Sequence, residues 1–225
     1  MFKITKKSSI IVVLALLLML LPLSGSAQTI TRNKKPTTTA TRKKTTEKGN
    51  SQKEKRSGSS SGKKASKSSD SNMSPRDYYL KGKKYFEQEN YSEAVKWFRK
   101  AAELGNPDGQ TALGFIFLEG EGVRQDYIEA AKWFRIAAEQ GDAGAQNNLG
   151  MMYSDGLGVR QDYTEAAKWL RIAAEQGFAG AQYNLGMMYE KGKGVSKDIS
   201  MAKYWYQKAA YQGFPPALEA LKNLE

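Results

Sequence analysis

Two absences bound the chemistry open to this chain. Its 225 residues include no His and no Cys. Ser-His-Asp and Cys-His nucleophiles, His-ligated metals, zinc-thiolate sites, iron–sulfur clusters and disulfides are therefore excluded. What remains for catalysis is carboxylate acid–base work. The acids that recur at fixed positions are Asp126 and Glu129, then Asp162 and Glu165. Each pair stands just ahead of a helical pattern, where Asp reads as an N-cap and Glu three residues on completes a capping box. Asn90 and Glu93 form a variant pair, and Asp198 keeps only the cap because Met201 stands where the Glu would be. The Gly-rich stretch Gly120-Glu121-Gly122 runs into Val123-Arg124-Gln125 after a helix, so it is not a phosphate loop. No catalytic residue, cofactor or metal is expected, and a carboxylate-based envelope hydrolase (β-lactamase-like or peptidoglycan-acting) stands as the alternative.

The elements that carry these residues are periodic. Trp97, Trp133, Trp169 and Trp205 are spaced by 36 residues. The stretch from Gly120 to Trp133 is repeated almost letter for letter from Gly156 to Trp169, and more loosely from Gly192 to Trp205. Fixed-period self-similarity is the signature of a repeat array. Within a unit, Ala145, Leu149, Met152 and Tyr153 recur at helical spacing and Gly156 supplies a stop. A second helix carries Ala166, Trp169, Leu170, Ala173 and Ala174 and ends at Gly177. Paired alanines and the in-helix Gly114, Gly150 and Gly186 allow close helix approach. Two such helices bury their apolar faces only against neighbours, so the expected fold is all-α, an α-solenoid of stacked helix-turn-helix repeats. The Trp residues then read as packing.

The formal charge of +12 is unevenly spread. Residues 1–27 carry +3, residues 28–72 carry +10, and residues 73–225 carry −1. The first segment has Lys3, Lys6 and Lys7, an apolar run from Ile10 to Leu21, Pro22, and Gly25-Ser26-Ala27. It reads as a signal peptide cut after Ala27, with an uncleaved anchor as the alternative. The run falls short of the roughly 20 apolar residues a spanning helix needs. Residues 28–72 hold 17 Ser and Thr, no aromatic residue, and Ile30 as the one aliphatic larger than Ala. This basic linker is expected to be disordered. It is either a tether to an anionic envelope polymer or lipid, or a solvated spacer. Nucleic acid is disfavoured, because the solenoid is near neutral and the linker lacks stacking aromatics.

Residues 145–177 and 181–213 carry the pattern Ala-x-x-x-Leu-Gly-x-x-Tyr-x-x-Gly-x-Gly-Val-x-x-Asp-x-x-x-Ala-x-x-Trp-x-x-x-Ala-Ala-x-x-Gly in full. Residues 109–141 depart from it at Gly109 and Phe117. This pattern resembles the Sel-1-like repeat, a branch of the tetratricopeptide superfamily. The units run 107–142, 143–178 and 179–214, after a tetratricopeptide-like unit at 75–106 and before a capping helix at 215–225. The resemblance implies an adaptor that binds a partner protein, with first helices lining a concave groove. Positions flanking the in-helix glycines then supply candidate partner contacts: Tyr79 and Lys83; Thr111 and Phe115; Asn147, Asn148 and Met151; Tyr183, Asn184, Met187 and Glu190. Phe86, Leu118 and Ser154 occupy the remaining inward positions. Tyr, Asn and Met suit an extended peptide or a helix. The expected protein is a monomeric scaffold, exported to the bacterial periplasm, the cell envelope or the exterior.

Overall fold

The computed structural model describes residues 73–224. The signal peptide at 1–27 and the linker at 28–72 lie outside the described residues.

Among the described residues the chain forms helices and no strand. In order these are α1 (Pro75–Glu87), α2 (Tyr91–Glu103), α3 (Pro107–Glu119), α4 (Tyr127–Glu139), α5 (Ala143–Asp155), α6 (Tyr163–Glu175), α7 (Ala179–Lys191), α8 (Ile199–Tyr211) and α9 (Pro215–Lys222). Odd-numbered helices up to α7 open a unit and even-numbered helices close it. Each helix packs on its neighbours in sequence, as an α-solenoid requires. First helices of successive units also touch, α1 with α3 and α3 with α5, while successive second helices do not meet to that extent. The stack is therefore tighter on its first-helix side.

Within a unit the two helices meet at the in-helix glycine. The buried rings of Phe98, Phe134 and Tyr206, and the buried Leu170, sit over Gly82, Gly114, Gly186 and Gly150 respectively. A Cβ on Gly114 would lie 2.6 Å from the Phe134 ring. The helix keeps a glycine worth about 1 kcal/mol of lost propensity because the space above it is filled.

Between units the loops lock. The second glycine of each loop presses on the start of the preceding unit's second helix. A Cβ on Gly158 would lie 2.0 Å from the Tyr127 carbonyl oxygen, and Gly194 repeats this against Tyr163 at 1.9 Å. Gly158 also has φ +67°, in the left-handed region that glycine enters without strain. The loop is closed on itself by Asp162 N–H donating to the Tyr153 carbonyl at 2.9 Å and by Gln161 Nε2 donating to the Ser154 carbonyl at 2.8 Å.

That closure corrects one expectation. Asp162 caps α6, its Oδ1 accepting from the Thr164 and Glu165 amides at 2.9 and 3.1 Å. Yet the Glu165 carboxylate does not return to the cap amide, which is already bonded to Tyr153; it pairs with Lys168 at 3.2 Å. Asp126 and Glu129 behave alike, with Glu129 on Lys132 at 2.8 Å, and Glu93 likewise pairs with Lys96. The reciprocal box forms instead at Ser74 and Asp77, where the Ser74 amide donates to the Asp77 carboxylate at 2.9 Å. The four Trp residues are packing elements. Trp133, Trp169 and Trp205 each join the apolar cluster formed between the preceding unit's second helix and the first helix of their own unit. On Trp97, in the first unit, Tyr78 stacks at 5.9 Å and Lys81 Nζ lies 3.7 Å from its ring centroid.

Gly158→Ala is expected to lower stability by at least about 2 kcal/mol, since both backbone strain and overpacking act. Gly141→Ala, at φ +96° with nothing within 4 Å of the new Cβ, should cost about 1 kcal/mol, the strain alone. Paired thermal melts check the difference, and equal losses would remove the loop contact as the cause.

Candidate functional site

The candidate residues project from the first helices, which present residues three before, one after and four after the glycine on one face. The structure divides them. Thr111 and Asn147 are buried and serve the junctions between units. The Thr111 hydroxyl donates at 3.1 Å to Oδ1 of Asp142, the residue that caps the next unit's first helix. Asn147 Oδ1 accepts from Asn184 Nδ2 at 2.9 Å, and its Nδ2 faces Asn148 Oδ1 at 3.5 Å. Neither side chain is free for a partner, because a buried amide or hydroxyl must satisfy itself within the fold.

The half-buried aromatics lean on the core while keeping an exposed edge. Tyr79 packs on Phe98 at 5.8 Å, and burial pushes its phenol up to about 12. Phe115 meets Phe134 edge-on at 5.3 Å. Tyr183 lies 5.5 Å from both Tyr206 and Phe214. Glu190 accepts the Tyr206 hydroxyl at 2.6 Å; burial first, and this carboxylate second, push the Tyr206 phenol strongly upward. Lys83 reaches Glu87 at 3.9 Å. Asn148, Met151, Asn184 and Met187 are all half-buried. Tyr183, Met187 and Glu190 come together in a cleft of about 350 Å³ between α7 and α9, bounded by Lys191, Pro216 and Glu219.

The network that composition and period did not single out is a glutamine ladder. Gln110, Gln146 and Gln182 are buried. Each donates from Nε2 to a carbonyl of the preceding second helix, Ala102, Ala138 or Ala174, at 3.0 to 3.2 Å. Each accepts at Oε1 from the C-cap glutamine of its own unit, Gln140, Gln176 or Gln212, at 2.6 to 2.8 Å. The signal was present, since both sets recur every 36 residues. Arg135 and Arg171 are likewise spoken for, donating to the Tyr153 and Tyr189 hydroxyls at 2.7 and 2.8 Å. Among the described residues no three acidic side chains converge as a metal site. No described helix is long and apolar enough to cross a membrane.

Asp142 shows what burial does to a cap. Its Oδ1 accepts from the Ala145 amide at 2.6 Å and from Thr111, yet desolvation outweighs both bonds and holds its carboxyl above the usual range. A carboxylate whose folded value is raised favours the folded state below its unfolded value and loses that contribution as pH rises through the folded one. Asp142→Asn keeps an acceptor for the cap and for Thr111. It should melt higher than the parent at neutral pH, with the gap closing below the carboxylate range. A gap that widens on acidification would reverse the assignment. Asp142→Ala, which loses the cap, should cost about 1 kcal/mol or more at either pH.

Comparison with known proteins places this geometry. The Sel1 repeat model matches residues 70–106, 107–142, 143–178 and 179–214. The chain is similar to a protective antigen present in uropathogenic Escherichia coli strains, whose crystal structure displays an SLR fold. The identity is 43% and the TM-score 0.59, over 62% of this chain and 31% of the antigen. It is also similar to a Sel1 repeat protein from Oxalobacter formigenes, at 35% identity and a TM-score of 0.63, over 66% of this chain and 61% of that one. This chain thus spans under two thirds of either protein's length. No curated protein matches the sequence. Sel1 repeat proteins are generally protein-interaction scaffolds. With four matched repeats built on glycine-seated helix pairs, the chain belongs to the Sel1 repeat family.

Proposed function

We propose that this chain is an exported, non-catalytic scaffold that binds a partner protein along its first-helix face. The observation that carries the reading is the cleft between α7 and α9. It gathers Tyr183, Met187 and Glu190 from the candidate set, beside Pro216 and Glu219 of α9. Half-exposed aromatic and thioether surface beside polar rims is what anchors a peptide or helix. The recurring acids do not favour catalysis, because Asp126 and Asp162 are spent on helix amides and Glu129 and Glu165 on neighbouring lysines. The apolar run at residues 10–21 supports export, to the periplasm, the envelope or the exterior. The +10 charge of residues 28–72 supports a tether to an anionic polymer or lipid.

A photo-crosslinking residue at Glu219, on the rim of the cleft, should capture a discrete partner protein in the native cell. The same residue at Ile172, exposed on the second helix α6, should not. Met187→Glu should abolish capture at Glu219 while the folded chain persists by circular dichroism. Equal capture from Glu219 and Ile172, or capture indifferent to Met187→Glu, would remove the first-helix face as the binding surface.

A further inference from the structure

One depression in the described solenoid lies away from the first-helix candidate residues. It is a cleft of about 920 Å³ along the loop edge, between the loop of the second unit, the start of α4 and the loop of the third unit. None of the first-helix candidates lines it. Phe117, Val123, Ile128 and Val159 supply apolar surface, and Arg124 and Arg160 supply charge. We propose that this cleft is a second binding site, for an extended acidic peptide segment.

The arginines are the first argument. Both are exposed, and neither has an ion pair or hydrogen bond among the described residues. Arg135 and Arg171, by contrast, are held on tyrosine hydroxyls. Asp126 also lines the cleft, but its Oδ1 is bonded by the Ile128 and Glu129 amides at 3.0 Å. Two forked guanidinium groups thus line one cleft with no carboxylate of the described residues bound to them, and their chemistry matches incoming carboxylates.

The second argument comes from comparing units. Ile128 is 62% exposed, although it is a large apolar side chain. Its counterparts two residues past the other caps are Ser92, Thr164 and Ser200, all polar. Arg124 and Arg160 give way to Ser196 in the fourth unit. The apolar patch and the arginine pair therefore coincide at one junction of the array. That coincidence does not follow from the scaffold, which the other units build without it.

The third argument is rigidity. Gly158 is pressed on the Tyr127 carbonyl, and Gln125 and Gln161 close their loops on the Leu118 and Ser154 carbonyls at 2.7 and 2.8 Å. The walls are set before a ligand arrives, which spares ordering entropy on binding.

The chemistry then selects the occupant. An apolar floor between two cations calls for a ligand that offers both acid and apolar groups. Alternate residues of an extended chain face one way, so acid-x-apolar-x-acid presents two carboxylates and an apolar side chain together over about 13 Å. A phosphate polymer has the charge but no apolar side chain for the floor.

The test is fluorescence anisotropy with the full chain and a labelled extended peptide bearing Glu-x-Leu-x-Glu. Saturable binding that weakens with added salt is expected. Arg124→Gln and Arg160→Gln should each weaken it by about tenfold, the worth of a charge-assisted hydrogen bond. Ile128→Ser, the residue of the fourth unit, should also weaken it, as should Leu→Ser in the peptide. These side chains are exposed, so melting temperatures should stay unchanged and loss of fold is separable from loss of binding. Absence of saturable binding would overturn the proposal. So would affinity undiminished in the double arginine variant, which would assign the acid to the basic residues 28–72. Tighter binding of inorganic polyphosphate than of the peptide at this cleft would overturn the choice of occupant.

Discussion

Each unit of this solenoid depends on a bulky second-helix side chain seated on a first-helix glycine. Phe98, Phe134, Leu170 and Tyr206 occupy the same place in the four units, over Gly82, Gly114, Gly150 and Gly186. The side chain varies in shape and the glycine does not, because any Cβ there would meet the ring or branch at 2.6 to 2.8 Å. This seat brings the helix axes close enough for the paired alanines of the first three second helices, and Ala209 of the fourth, to be buried as well. Everything further out is positioned from it.

The next layer is the junction between units, where polar groups do as much as apolar ones. A continuous apolar core would tolerate slippage between stacked helix pairs. The buried glutamines do not, since each must meet one backbone carbonyl behind it and one glutamine ahead of it, or be left unsatisfied at a cost of about 1–3 kcal/mol. Gly158 and Gly194 add a steric stop in the same register. Thr111, Asn147 and Asn184, whose types suggested a surface for partners, belong to this layer together with Asp142. Stability of register and availability for binding compete for the same polar residues, and at these four positions register has the claim.

Both proposed binding surfaces lie where the repeat rule lapses. At the C-terminal end, α9 covers α7 and α8 only in part and leaves the Tyr183–Met187 cleft open. At the loop edge, one junction carries two exposed arginines that have no partner among the described residues, and an exposed isoleucine where the other units carry polar residues. A scaffold that repeats four times gives each departure from the repeat a physical meaning, because the structural demand at that position is known from the other copies.

Much of this protein is legible in its sequence. The Trp spacing, the paired alanines and the Gly-x-Gly loops determine two helices per unit and their stacking, because helical period and glycine geometry are local properties. The split of charge between residues 28–72 and the solenoid is likewise a matter of counting. The tertiary structure decided what local pattern could not. Whether Asn147 faces a groove or a neighbour depends on a residue 37 positions away. Whether Glu165 closes a capping box depends on the Tyr153 carbonyl having taken the cap amide first. Whether Arg124 and Arg135 are free depends on which tyrosine lies within reach. Partner choice for a polar side chain is a competition among groups brought together only by folding, and spacing along the chain does not record who wins it.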